Sequence, residues 1–554
     1  MGMRLIDLLR DFHLLRIELP LMQRDYCWQH GRVQQLLDSL FRGLPIGCFY
    51  IWKSDQAQET RGPRRGGSDG GIHRYLLDGQ QRLVSLQRAL SPDETVLAGR
   101  AYFDLDRNRF RVLRANDNRT RQLRWVNDPA CIPLSTLIDR KPTGRGSFAN
   151  IDSALSPLKG LHVASKLKEF GNQLSRIATM LDCDAEYREY ETNDRNTAVE
   201  LFQRLNSGKN LSKANKIEAG LAADDMGDVL KSMRDFLKLP SVEAYGWGTD
   251  FLTRLLVTFH WNDATLFKES DRAARDWRGR AAVGASWKKA EAALLRVMDI
   301  LDTIGWCDLR WLPSANMLIP VAYALRDTRR AFHEGDVDAV RSFLCATAAT
   351  GMTQNSVETK INSFIKPFTP KNKASEPGGR SASTEELWKL WKAIPTERRR
   401  PLTPRQITEA CSRSSPLMKV YLAFLVANGA KSWPDNKPVA AIARGKSVGS
   451  LDVHHVFPQQ LRVDEPKLWS DRELNTMANY AIIGDGGNRE LGDRPPGPVY
   501  RGMSEQQRQD AKLQCIDTYM APDLMAGKYE EFCETRAKLL ANRLSEFMHF
   551  GERG

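Results

Sequence analysis

The sequence predicts an α+β protein in which a mixed N-terminal region, a helical middle region and a C-terminal region follow one another. Short β-rich runs occur at 47–52 and 74–77, close to stretches with helical apolar spacing. Across 213–364 the apolar residues recur at helical spacing, with no strand-rich run of similar length. Near the C-terminus, a β-branched segment at 451–457 interrupts a helical pattern. We therefore expect strands at both ends and helices between them.

Length and charge agree with a multidomain protein that has a polyanionic partner. The chain has 554 residues and a formal net charge of +13, and such a length divides into roughly three or four units. The positive charge is diffuse. The three arginines at 398–400 are read as a solvated face, with a phosphate contact as the alternative. The overall excess favours salt-sensitive association with DNA.

The cysteines and the hydropathy of the chain narrow its class. Nine cysteines are scattered without Cys-x-x-Cys pairs, so a zinc-finger element is not expected and the thiols should be reduced. No apolar run approaches the length of a membrane span. We expect a cytoplasmic protein without a membrane partner.

A first motif stands near the N-terminus, where residues 78–82 read Asp-Gly-Gln-Gln-Arg after a β-rich run. Asp78 and a glycine turn the chain into a helix, so that Gln80, Gln81 and Arg82 occupy its first turn. Free N–H groups and the positive end of the helix dipole favour an anion there, and a guanidinium can grip phosphate with two hydrogen bonds. An ordinary strand-turn-helix junction is the alternative. The segment Pro-x-x-Gln23-Arg24-x-x-x-Trp favours the functional interpretation.

A helix predicted at 198–205 ends in Asn-Ser-Gly, which is a good C-cap sequence. Asn206 and Lys209 are further candidates for contact with nucleotide or nucleic acid. Helix capping and a solvated charge explain them equally well. The chain has no Walker lysine motif, so a conventional P-loop is not expected.

A second motif, near the C-terminus, places His454 and His455 side by side before Val-Phe-Pro, with Asn479 and Asn488 further along. Hydrolysis of a phosphodiester requires a base for water and a cation for the phosphate charge. A neutral imidazole accepts a proton near pH 7. Because side chains alternate across a strand, the two histidines should face opposite sides and have different roles.

The C-terminal pattern resembles the HNH (ββα-metal) nucleases, and more closely the His-x-x-Pro variant at the C-terminus of GmrSD-type restriction proteins. The resemblance implies that His455 is the general base, that His454 and Asn488 bind Mg²⁺ or Mn²⁺, and that Asn479 is a strut of the catalytic loop. Many relatives carry an acidic residue at the position of His454, so this chain departs from the family there.

The N-terminal motif resembles the N-terminal domain of the same proteins, which is related to ParB-like folds. The resemblance implies a domain that binds a nucleoside triphosphate and is associated with its hydrolysis. It places Asp78, Gln80, Gln81 and Arg82 at the nucleotide, and the Gln23–Arg24 pair beside them.

Together these observations predict a nucleotide-binding sensor domain at 1–212, a helical region at 213–365, a flexible linker at 366–383 and an HNH-like nuclease domain at 384–554. The predicted function is a nucleoside-triphosphate-regulated, metal-dependent DNA endonuclease of an anti-phage restriction system, which acts on modified phage DNA or is controlled by it. A homo-oligomer is a further hypothesis. Two alternatives stay open. One is a ParB-like nucleotide-dependent DNA-binding regulator without nuclease activity, and the other is a nuclease that acts on RNA.

Overall fold

The computed structural model consists of two compact units, Met1–Leu230 and Lys231–Gly554. It describes residues 3–23, 26–60, 71–91, 99–113, 126–137, 151–206, 213–223, 226–243, 245–267, 277, 279–304, 314–328, 330–352, 356–369, 383–412, 415–439, 451–458, 474–484, 487, 490–492, 494, 496–516 and 529–551.

The described residues of the first unit form two three-stranded sheets and a short strand pair. The strands are β1 (Met3–Arg4), β2 (Phe49–Ser54), β3 (His73–Asp78), β4 (Ala101–Asp104), β5 (Arg109–Val112), β6 (Cys131–Pro133), β7 (Asp184–Ala185) and β8 (Tyr187–Glu191). In the first sheet the order is β3-β2-β8, with β2 antiparallel to β3 and parallel to β8. In the second sheet the order is β5-β4-β6, and β1 pairs with β7.

Helices pack on these sheets around a shared core. Three helices and one strand contribute fully buried side chains to this core, among them Leu8, Leu37 and Leu83 from the helices and Phe49 from the strand. The helices of this unit are α1 (Leu5–His13), α2 (His30–Arg42), α3 (Gln80–Ala89), α4 (Leu134–Leu137), α5 (Ile151–Leu155), α6 (Ala164–Thr179), α7 (Arg195–Asn206) and α8 (Lys213–Ala223), followed by α9 (Gly227–Leu237), within which the division between the units falls.

The described residues of the second unit are mainly helical up to its C-terminal strands, as the apolar spacing predicts. The helices are α10 (Pro240–Glu243), α11 (Thr249–Trp261), α12 (Arg280–Thr303), α13 (Leu318–Leu325), α14 (Glu334–Ala349), α15 (Val357–Ile365), α16 (Thr384–Lys392), α17 (Pro404–Glu409), α18 (Pro416–Ala427), α19 (Pro496–Gly502), α20 (Glu505–Leu513) and α21 (Tyr529–Phe547).

The β-branched segment near the C-terminus forms a strand, as predicted. Strand β11 (Leu451–His455) pairs antiparallel with β12 (Tyr480–Gly484), and a 3₁₀ turn (Met477–Asn479) leads directly into β12. A smaller pair, β9 (Lys431–Ser432) with β10 (Lys437–Pro438), precedes them. Pro458, three residues after β11, has no N–H with which to join a strand ladder.

Three further expectations concern the linker, the cysteines and membrane spans. The predicted linker begins with a 3₁₀ turn (Lys366–Phe368), and its residues 370–382 lie outside the described part of the chain. Where cysteines are described they form no disulfide. None of the described helices is both long enough and apolar enough to cross a bilayer.

Candidate functional site

The Asp-Gly-Gln-Gln-Arg motif forms a sharp junction between β3 and α3. The strand ends at Asp78 and the helix begins at Gln80, with Gly79 between them at φ 101°. A Cβ atom at Gly79 would lie 2.2 Å from Cδ1 of Phe49, so the close approach to this ring and the backbone conformation both require glycine. The junction fixes where the first turn of α3 starts.

Arg82 is a buried part of this junction. Its Nη1 donates to the Ile46 carbonyl at 2.7 Å, and its Nη2 donates to the Cys48 carbonyl at 2.8 Å and to Asp78 Oδ2 at 3.3 Å. The guanidinium carbon lies 4.5 Å from the centre of the Phe49 ring. Burial lowers the pKa of Arg82, and the nearby Asp78 carboxylate opposes that effect. Arg82 therefore holds the loop before β2 in place.

The segment before α2 is held against the same junction. Gln23 is buried, and its Nε2 donates to the carbonyls of Leu76 and Leu77, each at 2.7 Å. The buried Gln81 accepts a hydrogen bond from the Cys27 N–H at 2.9 Å through its side-chain oxygen. The structure thus brings Gln23 to the 78–82 motif. Arg24 lies outside the described residues.

These elements enclose a cavity of about 900 Å³ in the first unit. Four of the predicted residues, Asp78, Gln80, Gln81 and Arg82, line it together with Gln23. Its remaining lining residues come from the start of α2, the loop before β2, the junction glycine and the end of α7, and they are Trp28, Arg32, Ile46, Gly47, Cys48, Tyr50, Gly79 and Leu205. Asn206 ends α7 beside Leu205; its side chain and all of Lys209 are outside the described part of the chain.

The cavity combines groups for an anion with groups for an apolar or aromatic ligand. The first turns of α2 and α3 contain no acidic residue, and the Asp78 carboxylate that lies just before α3 is paired with Arg82. Arg32 adds a guanidinium, while Trp28 and Tyr50 add aromatic surface. Sequence reasoning missed Arg32 and Tyr50, because their place at the cavity depends on the fold.

The two histidines of the C-terminal motif lie on β11. His454 is opposite Ala481 and His455 is opposite Tyr480 in the antiparallel pair. Since neighbouring side chains of a strand point to opposite faces, the two imidazoles face different surroundings. His454 is buried and His455 is half-buried, as expected if the two side chains face opposite sides of the strand.

His455 is oriented by two neighbours. Its Nε2 lies 2.9 Å from Oδ1 of Asn475, and its ring meets the Tyr480 ring nearly at a right angle with 5.1 Å between centres. Because an amide oxygen only accepts hydrogen bonds, this contact places the proton of the neutral imidazole on Nε2 and the lone pair on Nδ1. Sequence reasoning missed Asn475, which lies before the motif asparagine.

Asn479 is fully buried and joins the segment after β11 to the turn before β12. Its Oδ1 accepts from the Phe457 N–H at 2.8 Å, and its Nδ2 donates to the Phe457 carbonyl at 3.0 Å and to the Leu474 carbonyl at 3.1 Å. The Asn479 carbonyl also accepts from the Val456 N–H at 2.9 Å. These contacts give Asn479 a positioning role, and no reacting group is among them.

Two later residues support β12 from the other side. Gln514 is fully buried, accepts from the Ile482 N–H at 2.8 Å and donates to the Ile482 carbonyl at 2.7 Å. Arg536 of α21, also fully buried, donates to the carbonyls of Ala478 at 2.7 Å and Tyr480 at 2.6 Å. Neither residue could be recognised from the sequence, because both follow the motif at a long distance along the chain.

A cation site at the hairpin has two candidate donors within the described part. Asp452 and His454 are two residues apart on β11, so their side chains lie on one face and offer a carboxylate and an imidazole. No group of three His, Cys, Asp or Glu residues that could hold a metal occurs among the described residues. Asn488, the other predicted metal residue, is not among them.

Comparison with known proteins bears on the first unit. No curated protein matches the chain. Residues 5–222 match the family model described as the N-terminal domain of GmrSD restriction endonucleases, and this stretch includes all the residues that line the cavity. The histidine hairpin lies beyond the matched stretch. Residues 5–222 are thus similar to the N-terminal domain of GmrSD restriction endonucleases.

Proposed function

We propose that the protein is a metal-dependent DNA endonuclease of a restriction system, regulated by a nucleoside triphosphate and controlled by modified phage DNA. The observation that carries the proposal is the GmrSD-type N-terminal domain at residues 5–222. A histidine pair on a supported hairpin in the second unit supplies the candidate chemistry.

The nucleotide has its proposed place in the cavity of the first unit. A volume of about 900 Å³ lies within the range of small-molecule and cofactor sites. Helix starts and a guanidinium favour phosphate, and aromatic surface favours a base or ribose. Arg82 and Gln23 shape the walls through bonds to backbone carbonyls. A ParB-like relationship of this domain is part of the proposal.

The proposed nuclease chemistry uses His455 as the base. Its Nδ1 lone pair takes a proton from water, the water oxygen attacks phosphorus, and the bond from phosphorus to the leaving oxygen breaks. Asn475 holds the imidazole in the required tautomer. Asn479 positions the segment that follows β11.

Asp452 and His454 are the proposed cation ligands, with Asn488 as a further one. One carboxylate and one imidazole fit Mg²⁺ or Mn²⁺, because such ions keep several waters and often take only one or two protein ligands. A bound divalent cation neutralises charge on the phosphate oxygens. The carboxylate of Asp452 would supply the acidic ligand that is absent at position 454. This arrangement would give the second unit an HNH-like site.

The test is cleavage of modified and unmodified phage DNA by the full chain, with Mg²⁺, with and without ATP or GTP. The wild-type protein should cut DNA, His455→Ala should not, and His13→Ala, at an exposed histidine of the first unit, should cut like wild type. RNA is offered in parallel. Cutting of RNA alone would replace DNA restriction by an RNA nuclease, and DNA binding without any cutting would favour the regulator.

A further inference from the structure

Two arginines among the described residues line the cavity of the first unit, and their environments differ. Arg82 is buried, and both of its terminal nitrogens donate to backbone carbonyls. Replacing those bonds by bonds to phosphate would leave the Ile46 and Cys48 carbonyls without their donor. An unmade hydrogen bond at a buried carbonyl is costly. The arginine of the sequence motif is therefore a poor phosphate ligand in this structure.

Arg32 has the complementary properties. It lies in the first turn of α2, lines the cavity and is exposed. The described residues provide no hydrogen bond or ion pair for its side chain. Its guanidinium thus keeps its donors for a ligand, and binding one breaks no bond within the described structure.

The backbone around Arg32 adds to this preference. No side chain caps the first turn of α2 or of α3, and neither turn contains an acidic residue. Trp28 and Arg32 flank the start of α2, while Gln80 and Gln81 begin α3, and all four line the same cavity. Within the described part of the chain, the starts of two helices and the guanidinium of Arg32 therefore adjoin the same cavity.

We propose that Arg32 binds the phosphate chain of the nucleotide, whereas Arg82 is a positioning residue that holds the loop before β2. This inference rests on the proposed nucleotide binding by the cavity and identifies the residue that reads the phosphates. The phosphate contact then lies at the start of α2 and not at the arginine of the 78–82 motif.

The test measures binding of ATP and GTP with a fluorescent ribose label to the full chain, together with competition by inorganic tripolyphosphate. Arg32→Ala should weaken both the labelled nucleotide and tripolyphosphate by roughly tenfold or more, since hydrogen bonds to charged groups contribute on the order of 1.5–3 kcal/mol. Arg32→Lys should weaken binding of the labelled nucleotide and tripolyphosphate less than Arg32→Ala does, because lysine keeps the positive charge. The matched control is Arg42→Ala at the other end of α2, where the arginine is paired with Asp38 and 64% exposed.

The outcomes separate the inference from the proposed function. If wild type binds nucleotide and Arg32→Ala binds it equally well, the inference is overturned while nucleotide binding stands. If Arg32→Ala binds the labelled nucleotide more weakly but tripolyphosphate displaces that nucleotide with the same affinity as in wild type, Arg32 contacts the nucleoside. The phosphate assignment is then wrong. Lack of nucleotide binding by wild type overturns both. Circular dichroism of each variant verifies that the fold is retained.

Discussion

Asn479 bonds to both backbone groups of Phe457, accepting from its N–H at 2.8 Å and donating to its carbonyl at 3.0 Å. A side chain here does what a neighbouring strand would do, at the point where β11 has ended. The segment after the histidines thereby acquires a fixed conformation without a third strand.

Asn479→Ala should loosen this segment. The change leaves the buried N–H and carbonyl of Phe457 and the Leu474 carbonyl without a partner, at about 1–3 kcal/mol for each unsatisfied group. Hydrogen exchange at the Phe457 amide measures the effect locally, which is preferable in a chain of two units. The control is Asn428→Ala, whose amide bonds only to a carbonyl of its own helix. Equal exchange in both variants would contradict the role of Asn479.

His455→Ala should lower the rate of DNA cleavage by roughly a hundredfold to ten-thousandfold, which is the usual contribution of a general base. Asn475→Ala should lower it less, because the imidazole remains but its orientation is no longer fixed. The measurement is single-turnover cleavage with saturating Mg²⁺. A rate for Asn475→Ala equal to that of wild type would exclude the orienting role.

Gly79→Ala should unfold or distort the cavity of the first unit. A Cβ atom at φ 101° and 2.2 Å from the Phe49 ring cannot be accommodated without a shift of β2. We expect loss of nucleotide binding and a lower thermal midpoint. Gly171→Ala is the matched control, since it lies within α6 and its Cβ would meet its nearest neighbour at 3.7 Å. That variant should retain wild-type binding and stability.

Arg536→Met should destabilise the histidine hairpin. The methionine has a comparable length but donates nothing to the carbonyls of Ala478 and Tyr480, which then stay buried without this donor. Protection of β12 from hydrogen exchange should fall, and cleavage should fall with it. Arg405→Met, at a side chain 84% exposed on α17, should change neither quantity.

Acid should weaken the hydrogen-bonded contact of Asp336 in α14 with Thr384 in α16. Burial raises the pKa of Asp336, but hydrogen bonds from Arg330, the His333 N–H and Thr384 outweigh it and hold the pKa at about 2, below the usual 3.8. Because the folded-state pKa is lowered, the stabilisation is complete above about pH 4 and is lost as the pH falls towards 2. Thermal midpoints of wild type and Asp336→Asn, compared at pH 7 and pH 2.5, test this: the difference should shrink in acid.

Local sequence patterns predicted much of the fold. The β-rich runs predicted at 47–52 and 74–77 form strands at 49–54 and 73–78, and the helix begins at Gln80 as predicted. These elements were predictable because each depends on apolar spacing and on a glycine turn within a few residues. The helical character of 213–364 is confirmed for its described residues for the same reason. The ParB-like and HNH assignments stay predictions.

Contacts between distant segments could not be predicted. Arg32 reaches the cavity because α2 and α3 start at the same place, although about fifty residues separate them in the chain. The hydrogen-bond partners of Arg82 are backbone carbonyls, whose positions depend on the loop conformation. Because every residue has a carbonyl, the amino-acid types in the loop do not reveal these bonds. Asn475 is recognised only once the hairpin places it beside His455.

The burial of Gln514 and Arg536 against β12 has a consequence for any attempt to transplant the histidine motif into another protein. A fragment cut at residue 500 would keep His454, His455 and Asn479 but omit both residues that bind the far side of the hairpin. Two short strands alone are marginally stable in water. The smallest fragment that carries the histidine motif must therefore extend through α21. Its C-terminal boundary is determined by the residues that donate hydrogen bonds to the backbone carbonyls of the hairpin.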